Sequence, residues 1–308
     1  MIELRNLHRT FGSTRAVNDV SFCVPKGHVF GYIGPNGAGK TTSMRILATL
    51  DQPTAGDAYI DGFSVVNDPD RVRHRLGFMP DYFGTYANVN VREYLDFFAR
   101  AYGLRGRHRT RALSYVMSFT KLDALAEKPI SGLSKGMKQR LCLGRALVHD
   151  PAVLVLDEPA AGLDPRARIQ LREMIRALAA HGKTVLVSSH ILTELAEMCD
   201  TVGILELGRL LAVGSVNDIQ KTQQHQSRVQ VQVLGGAGVL GVWLGARTDV
   251  HSVQIDGETA VFLHDGDRET EVTLLREMVQ AGFAVASFGS QEKSLEEVFL
   301  DVTRGHVQ

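Results

Sequence analysis

The segment GPNGAGKTT at residues 34–42 constrains the possible fold and ligand of this chain more than any other feature of the sequence. The spacing of Gly34, Gly39, Lys40 and Thr41 is that of a loop that wraps a chain of phosphate groups. Glycines let backbone N–H groups turn inward, Lys40 brings charge to the β- and γ-phosphates, and Thr41 offers a hydroxyl to Mg²⁺. A β-rich run precedes the loop and a run with helical spacing follows it, so we expect a strand–loop–helix unit that binds a nucleotide. The predicted nucleotide contacts are Gly34, Pro35, Asn36, Gly37, Ala38, Gly39, Lys40, Thr41 and Thr42.

Length and composition limit the class of protein. The chain has 308 residues, of which 44% are hydrophobic, and this is enough for two domains with their own cores. Lys and Arg total 34, as do Asp and Glu, so the chain has no overall basic surface for nucleic acid. The three cysteines lie far apart, no stretch of about 18 apolar residues occurs, and the N-terminus lacks a signal-peptide core. We therefore expect a cytoplasmic nucleotide-binding protein that neither spans a membrane nor binds nucleic acid.

The order of apolar runs predicts an α/β domain. Continuous apolar runs at 153–156 and 184–190 are typical of parallel strands that are buried on both faces. Helical spacing dominates from about residue 85 to 150 and returns at 165–182, and a hairpin is expected at Gly208.

A polar, Gln-rich segment at 217–227 predicts a domain boundary. The pattern beyond it is strand, helix, strand, strand, helix, strand, with SLEEVFLDV as a last helix, which is the ferredoxin-like order. We therefore expect domains at 1–217 and 228–308. His251 and His264 are isolated in the second domain and are predicted to lie on its surface.

Three further motifs carry side chains suited to phosphate chemistry. VLVLDEP puts Asp157 and Glu158 at the end of a buried strand, the edge at which open α/β sheets bind ligands. Asp157 suits Mg²⁺, and Glu158 can accept a proton from an attacking water. LSKGM places Ser134 and Gly136 at a helix start that binds anions, although an ordinary serine cap is the commoner meaning. His190 ends the next buried strand, where it is either structural or a donor to a γ-phosphate.

The motifs GPNGAGKTT, LSKGM, VLVLDEP, AGLDP and SSH occur in the order found in the nucleotide-binding subunits of ATP-binding cassette (ABC) transporters, which the chain resembles over about residues 1–217. The resemblance implies a P-loop ATPase cassette with a parallel core sheet, an antiparallel N-terminal β part and a helical subdomain. It also implies that two cassettes sandwich two ATP molecules, each site combining one protomer's phosphate loop with the other's Ser134 and Gly136 segment. Phe11 matches the aromatic residue that stacks on adenine, and Asp164 matches the loop that crosses the dimer interface.

The C-terminal domain looks like the extension of ABCA-like and bacterial drug- or lipid-exporter cassettes, and we expect it to regulate or clamp the dimer. The interpretation is an ATPase subunit on the inner face of the cell membrane, in a homo- or heterodimer that drives a separate permease, an exporter. Lys40, Glu158 and His190 would be catalytic, and Thr41 and Asp157 would hold Mg²⁺. Two alternatives stay open: a cassette ATPase that acts on nucleic acid or the ribosome, and a nucleotide-gated regulatory module without turnover.

The sequence departs from the family pattern in two places. The signature reads LSKGM where LSGGQ is usual, so Lys135 adds a positive charge near the γ-phosphate site. Asp81 stands where the family normally has a glutamine that contacts Mg²⁺ and the attacking water. A carboxylate ligates Mg²⁺ more strongly than an amide, which makes Asp81 a candidate metal ligand. The alternative is a surface aspartate that begins a turn.

The Asp81→Asn variant tests the metal contact. We expect the Mg²⁺ dependence of ATPase activity to change while ATP affinity moves little, because the substitution removes a charge and keeps the size of the side chain. A Mg²⁺ titration of activity, with ATP binding as the control, makes the measurement. An unchanged titration would eliminate the metal contact and leave only a role in touching the permease.

Overall fold

The computed structural model describes residues 1–82, 84, 88–215, 218 and 226–291, apart from the side chains of Gln226 and Gln291. Two compact units divide the chain near residue 216, and each is described by itself. The strands of the first unit are β1 (Ile2–Phe11), β2 (Thr14–Val24), β3 (Val29–Ile33), β4 (Ala55–Ile60), β5 (Phe63–Ser64), β6 (Leu76–Met79), β7 (Val153–Leu156), β8 (Thr184–Ser189), β9 (Thr201–Glu206) and β10 (Arg209–Gly214). Its helices are α1 (Lys40–Leu47), α2 (Pro69–Arg75), α3 (Val91–Ala101), α4 (Gly106–Phe119), α5 (Lys135–Leu147), α6 (Pro165–Ala180) and α7 (Leu192–Ala196), with 3₁₀ turns at Asp123–Leu125 and Ile130–Gly132.

A six-stranded sheet in the order β10-β9-β3-β8-β7-β6 forms the centre of the first unit. All neighbouring strands from β9 to β6 run parallel, and β10 is antiparallel to β9 in the predicted hairpin. Every residue of β3, β7 and β8 is buried, which is why these strands read as continuous apolar runs in the sequence. Parallel pairing brings their carboxyl ends to one edge of the sheet.

A second, antiparallel sheet in the order β2-β1-β4-β5 accounts for the N-terminal β part. The two sheets share one apolar core. Phe22 of β2 stacks on Phe30 of β3 with 4.7 Å between ring centroids, so the aromatic pair joins the sheets directly.

The helical subdomain comprises α3, α4 and α5, which contact one another. The side chain of Asn90 accepts a hydrogen bond from the N–H of Glu93, and the Glu93 carboxylate accepts one from the N–H of Asn90, so a capping box begins α3. Of the predicted helical region, residues 85–87 lie outside the described residues. Sequence reasoning missed α2, since Val72 is its one buried residue and leaves no apolar stripe to recognise.

The second unit has the elements β11 (Gln226–Val233), α8 (Ala237–Gly245), β12 (Val250–Asp256), β13 (Thr259–Asp265), α9 (Arg268–Gln280) and β14 (Val285–Gln291). Its antiparallel sheet has the order β12-β13-β11-β14, and the predicted ferredoxin-like arrangement is confirmed. An apolar core of its own includes Val229, Leu240, Phe262 and Leu274. The predicted last helix, SLEEVFLDV, lies outside the described residues.

The prediction of a surface position for His264 is wrong, because the side chain is completely buried and its Nε2 lies 3.5 Å from Asp249 Oδ2. Alternation along β13 explains the error, since Phe262 and His264 fall on the same, core-facing side of the strand. His251 is exposed, as predicted, but it is not isolated, since its Nε2 lies 2.7 Å from Asp265 Oδ2. No helix in the described part of the chain is long and apolar enough to cross a membrane.

Candidate active site

The phosphate loop links the carboxyl end of β3 to the first residue of α1. A Cβ atom on Gly34 would lie 2.2 Å from the carbonyl oxygen of Leu205, and one on Gly39 would lie 2.2 Å from that of Ala16. Gly39 also has φ +101°, a conformation that residues with a Cβ rarely adopt. Gly39 is therefore required for the loop's curvature, and both glycines are required for its close approach to neighbouring backbone.

Lys40 begins α1 and is nearly buried, at 5% exposure. Its Nζ donates hydrogen bonds to the carbonyl oxygens of Gly34 at 2.6 Å and Pro35 at 3.2 Å, and it lies 3.5 Å from Glu158 Oε1. Burial lowers the pKa of the Lys40 ammonium below its usual value, and the negative charges of Glu158 and Asp157 oppose that shift. The loop therefore holds the Lys40 ammonium at its centre.

Asp157 follows β7 and has 1% of its surface exposed. Burial raises the pKa of its carboxyl group, hydrogen bonds from Ser188 and Thr41 oppose the rise, and the charges of Glu158 and Asp81 add to it. The two oxygen donors expected to hold Mg²⁺, Asp157 and Thr41, are thus in contact, and Asp81 is near enough for its charge to raise the pKa of Asp157. A buried carboxylate with an adjacent hydroxyl and a nearby second carboxylate fits a hard divalent cation.

Among the described residues, no group of three or more His, Cys, Asp or Glu side chains is arranged to hold a metal ion. A cation at Asp157 and Thr41 would consequently depend on oxygen ligands from the nucleotide and from water, as is usual for Mg²⁺.

Glu158 and His190 meet at the same edge of the sheet. His190 Nδ1 lies 2.9 Å from Glu158 Oε2, while Glu158 Oε1 faces Lys40. The Glu158 side chain is 14% exposed and the His190 side chain is 46% exposed, so the pair lies at the solvent boundary and is only partly solvated. Glu158 has φ +46°, a left-handed backbone conformation that is uncommon outside glycine and is found at functional sites.

Ser188 is a site residue whose role sequence reasoning missed. It is completely buried, its hydroxyl donates to Asp157 Oδ1 at 2.7 Å, and the same oxygen accepts from the Glu158 N–H at 2.8 Å. One hydroxyl of β8 therefore orients both acidic residues that follow β7. The signal available in the sequence was a polar residue inside an otherwise apolar strand.

The remaining predicted residues lie on other elements. Ser134 caps α5, where its Oγ accepts a hydrogen bond from the Met137 N–H at 3.3 Å. Gly136 lies beside α6, since a Cβ there would come 3.2 Å from that of Ala167. Phe11 at the end of β1 is 47% exposed, and the guanidinium carbon of Arg9 lies 4.2 Å from its ring centroid.

Asp164 caps α6, with Oδ1 accepting a hydrogen bond from the N–H of Ala167 at 2.9 Å. Asp164 thus fixes the end of the AGLDP loop to the start of a helix. This cap adds a local structural reason for an aspartate at the position that the family resemblance assigns to the interface loop.

A glycine loop around a lysine, with an acidic pair at the carboxyl edge of a parallel sheet, defines a P-loop nucleotide hydrolase. Comparison with known proteins narrows this class. The sequence profile described as "ABC transporter" matches residues 17–161, and the profile described as "ATP-binding protein DrrA1-3-like, C-terminal domain" matches residues 214–303.

Individual proteins agree with these profiles. The chain is 36% identical over 302 residues to the Nod factor export ATP-binding protein I of Rhizobium sp. (strain N33), covering 98% of this chain and 96% of that protein. It is 29% identical over 305 residues to the linearmycin resistance ATP-binding protein LnrL of Bacillus subtilis (strain 168), covering 98% of each. A solved structure described as the dimeric structure of MJ0796, a bacterial ABC transporter cassette, matches with a TM-score of 0.64 and 25% identity over 70% of this chain and 98% of that one.

The chain belongs to the family of ABC transporter ATP-binding proteins. It is an ATP-binding and ATP-hydrolysing cassette, and the relatives support the transport interpretation of the sequence rather than either alternative.

Replacing Ser188 with alanine tests its role in orienting the acidic pair. We expect Ser188→Ala to lower the free energy of unfolding by about 1–3 kcal/mol at neutral pH, because a buried carboxylate loses a hydrogen bond. ATPase activity should also fall, since Asp157 and Glu158 lose a common anchor. Urea denaturation and steady-state ATPase assays make the measurements, with Ser188→Cys, which keeps the size and a weaker donor, expected to lie between.

The pH dependence of this variant has a definite sign. The Ser188 hydrogen bond favours ionised Asp157, so its loss raises an already raised pKa further. The extra destabilisation is therefore present where Asp157 is ionised in the folded protein, and it should shrink as the pH falls through the raised folded pKa of Asp157, which lies above the unfolded carboxyl's pKa of about 4. A stability difference that stays constant from neutral to acidic pH would show that Ser188 does not act through Asp157.

Proposed function

We propose that Lys40, Glu158 and His190 perform ATP hydrolysis in this cassette. The observation that carries the proposal is that Glu158 contacts both other groups, with Lys40 Nζ at 3.5 Å from one carboxylate oxygen and His190 Nδ1 at 2.9 Å from the other. A base that accepts a proton and two groups that stabilise phosphate charge are the components of phosphoryl transfer to water. Lys40 is nearly buried in the loop, but the His190 side chain is about half exposed, so a nucleotide can reach this cluster from solvent.

The steps follow from the residues. The N–H groups of the loop and the Lys40 ammonium bind the β- and γ-phosphates. The oxygen of the attacking water bonds to the γ-phosphorus while Glu158 takes a proton from that water, the bond to the β–γ bridging oxygen breaks, and ADP leaves. His190 donates a hydrogen bond to the γ-phosphate, where negative charge increases. Thr41 and Asp157, with Asp81 nearby, would hold Mg²⁺, whose positive charge would offset the negative charge of the phosphates.

The complete site requires a second cassette. Ser134 and Gly136 lie at the amino end of α5, where N–H groups and the helix dipole favour an anion, and we infer that they bind the γ-phosphate held by the partner. Phe11, exposed at the end of β1, would stack on adenine. The matched solved structure is described as dimeric, which supports pairing of homologous cassettes.

We infer that the dimer drives a separate membrane permease and works on the inner face of the membrane as an exporter. Two relatives carry names for Nod factor export and for linearmycin resistance, and this chain covers 96% and 98% of their respective lengths. A cleft of about 310 Å³ lined by Phe78, Phe98, Tyr102 and Arg145 adjoins the strand that leads to Asp81, and exposed Leu50 lies at its margin. An aromatic cleft with basic groups beside a nucleotide-site residue suits docking of a permease segment.

The Glu158→Gln variant tests the assignment of the base. We expect turnover to fall roughly 10²–10⁴-fold, the usual effect of losing a general base, while ATP binding persists because Lys40 and the loop are intact. Bound ATP should then hold the dimer together, as measured by size-exclusion chromatography with Mg-ATP. Glu173→Gln, the same change at an exposed position on α6, is the control and should behave as the wild type. A Glu158→Gln protein that stays monomeric and hydrolyses ATP normally would contradict the proposal.

The C-terminal unit is proposed to be a regulator or dimer clamp rather than a second catalytic site. Helix α8 supports this proposal, because Val239 and Val242 are 66% and 76% exposed although both are apolar. No charged residue occurs from 234 to 246, so this side of the helix is suited to an apolar partner surface. A second copy of the same unit is the partner that an ATP-driven dimer would supply.

Truncation and surface charge test the clamp. We expect residues 1–217 alone to bind ATP but to dimerise less than the full chain, as measured by analytical ultracentrifugation with and without ATP. In the full chain, the double variant Val239→Lys/Val242→Lys should have the same effect, because it adds charge to the exposed face and leaves the core intact. Val66→Lys, at another half-exposed valine, is the control. Equal dimerisation of all forms would eliminate the clamp role.

A further inference from the structure

An ion pair joins α6 to α7 across an open cleft. The cleft has a volume of about 330 Å³ and an apolar lining that includes Ile169, Leu195 and Met198. Because this space is not filled by side chains, apolar packing alone does not fix α7, a helix of five residues, against α6. Polar contacts at the margin of the cleft join the two helices.

Arg168 of α6 makes two of these contacts. Its Nε donates a hydrogen bond to the carbonyl oxygen of Leu163 at 3.0 Å, which is the residue before Asp164. Its Nη1 lies 3.0 Å from Glu194 Oε1 in the first turn of α7. One guanidinium group therefore touches both the AGLDP loop and α7 through two different nitrogens held in a fixed plane, a geometry that the single nitrogen of a lysine side chain does not reproduce.

Glu194 continues the connection toward the active site. Its side chain is only 14% exposed, and Oε2 accepts a hydrogen bond from the Ser189 hydroxyl at 3.2 Å. The same Ser189 oxygen accepts a hydrogen bond from the Ile191 N–H at 3.0 Å. Ser189 and Ile191 are the two neighbours of His190, so Glu194 contacts the residue before the histidine directly and the N–H of the residue after it through the Ser189 hydroxyl.

We propose that Arg168 and Glu194 are positioning residues that hold His190 against Glu158 and link it to the loop that precedes Asp164. Among the residues that the structure describes, no hydrogen bond or ion pair joins either side chain to the phosphate loop, Glu158 or His190, and the two residues act through Ser189. The inference rests on the proposed role of His190 and Glu158 in hydrolysis. Loss of the link would let the His190 segment move away from Glu158 while the phosphate loop, anchored on other strands, stays in place.

The test compares two arginines on the same helix. Arg172 lies one turn beyond Arg168, borders the same cleft and pairs with Glu197, but Glu197 has no described contact with the His190 segment. We expect Arg168→Gln to lower kcat by about 10–100-fold while the KM for ATP moves less than about 3-fold, because misplacement of a catalytic group affects the chemical step more than binding. Arg172→Gln should change kcat less than about 3-fold at a similar loss of thermal stability.

Conservative and paired variants separate positioning from general stability. Arg168→Lys can keep the ion pair but not the Leu163 contact, so it should recover part of the lost kcat. Glu194→Gln keeps an acceptor for the Ser189 hydroxyl but loses the ion pair with Arg168. The double variant Arg168→Gln/Glu194→Gln should have a kcat no lower than that of the slower single variant, because each substitution breaks the same connection.

Equal kcat losses in the Arg168→Gln and Arg172→Gln proteins, or additive losses in the double variant, would overturn the positioning role. Glu158→Gln, measured alongside, keeps the two proposals distinguishable. If Glu158→Gln abolishes turnover and Arg168→Gln does not, the positioning role fails and the proposed function stands. If Glu158→Gln hydrolyses ATP normally, the proposed function itself fails.

Discussion

Parallel pairing of three buried strands is the constraint on which the active site depends. The ends of β3 and β8 are in register, with Ile33 opposite Ser189, and Leu156 at the end of β7 is opposite Val187 of β8. Because parallel strands point the same way, the segments that follow them emerge at one edge. The phosphate loop, the acidic pair and the histidine are far apart in sequence and become neighbours for this reason alone.

Balance of buried charge explains how these groups coexist at that edge. A lysine and two carboxylates in a poorly solvated site would each be costly if unpaired. Lys40 lies between loop carbonyls and Glu158, and Asp157 is hydrogen-bonded by hydroxyl groups. Ser188 contributes to both acids, since one oxygen donates to the carboxylate of Asp157 and accepts from the N–H of Glu158. The site is consequently a single electrostatic unit, in which the charge of Glu158 influences the pKa of both Lys40 and Asp157.

The second unit illustrates where sequence reasoning stops. Its order of strands and helices was predictable because each element has an alternating or helical apolar pattern. The burial of His264 was not predictable, since the local sequence around this histidine is the same whether the end of its strand is covered by other elements or exposed to solvent. In the first unit, α2 was also not predictable from the sequence, because its one buried residue, Val72, gives no helical periodicity.

The sequence by itself determined the nucleotide chemistry and the family. The spacing of Gly34, Gly39 and Lys40 is specific to phosphate-binding loops. The structure gives a reason for the two glycines, since a Cβ atom at either position would collide with neighbouring backbone. Only the tertiary structure decided which groups act together. The shared hydroxyl of Ser188 and the tie from Arg168 to Glu194 join elements that are separated along the chain. Such contacts depend on strand register and helix placement, which no local pattern of residues encodes.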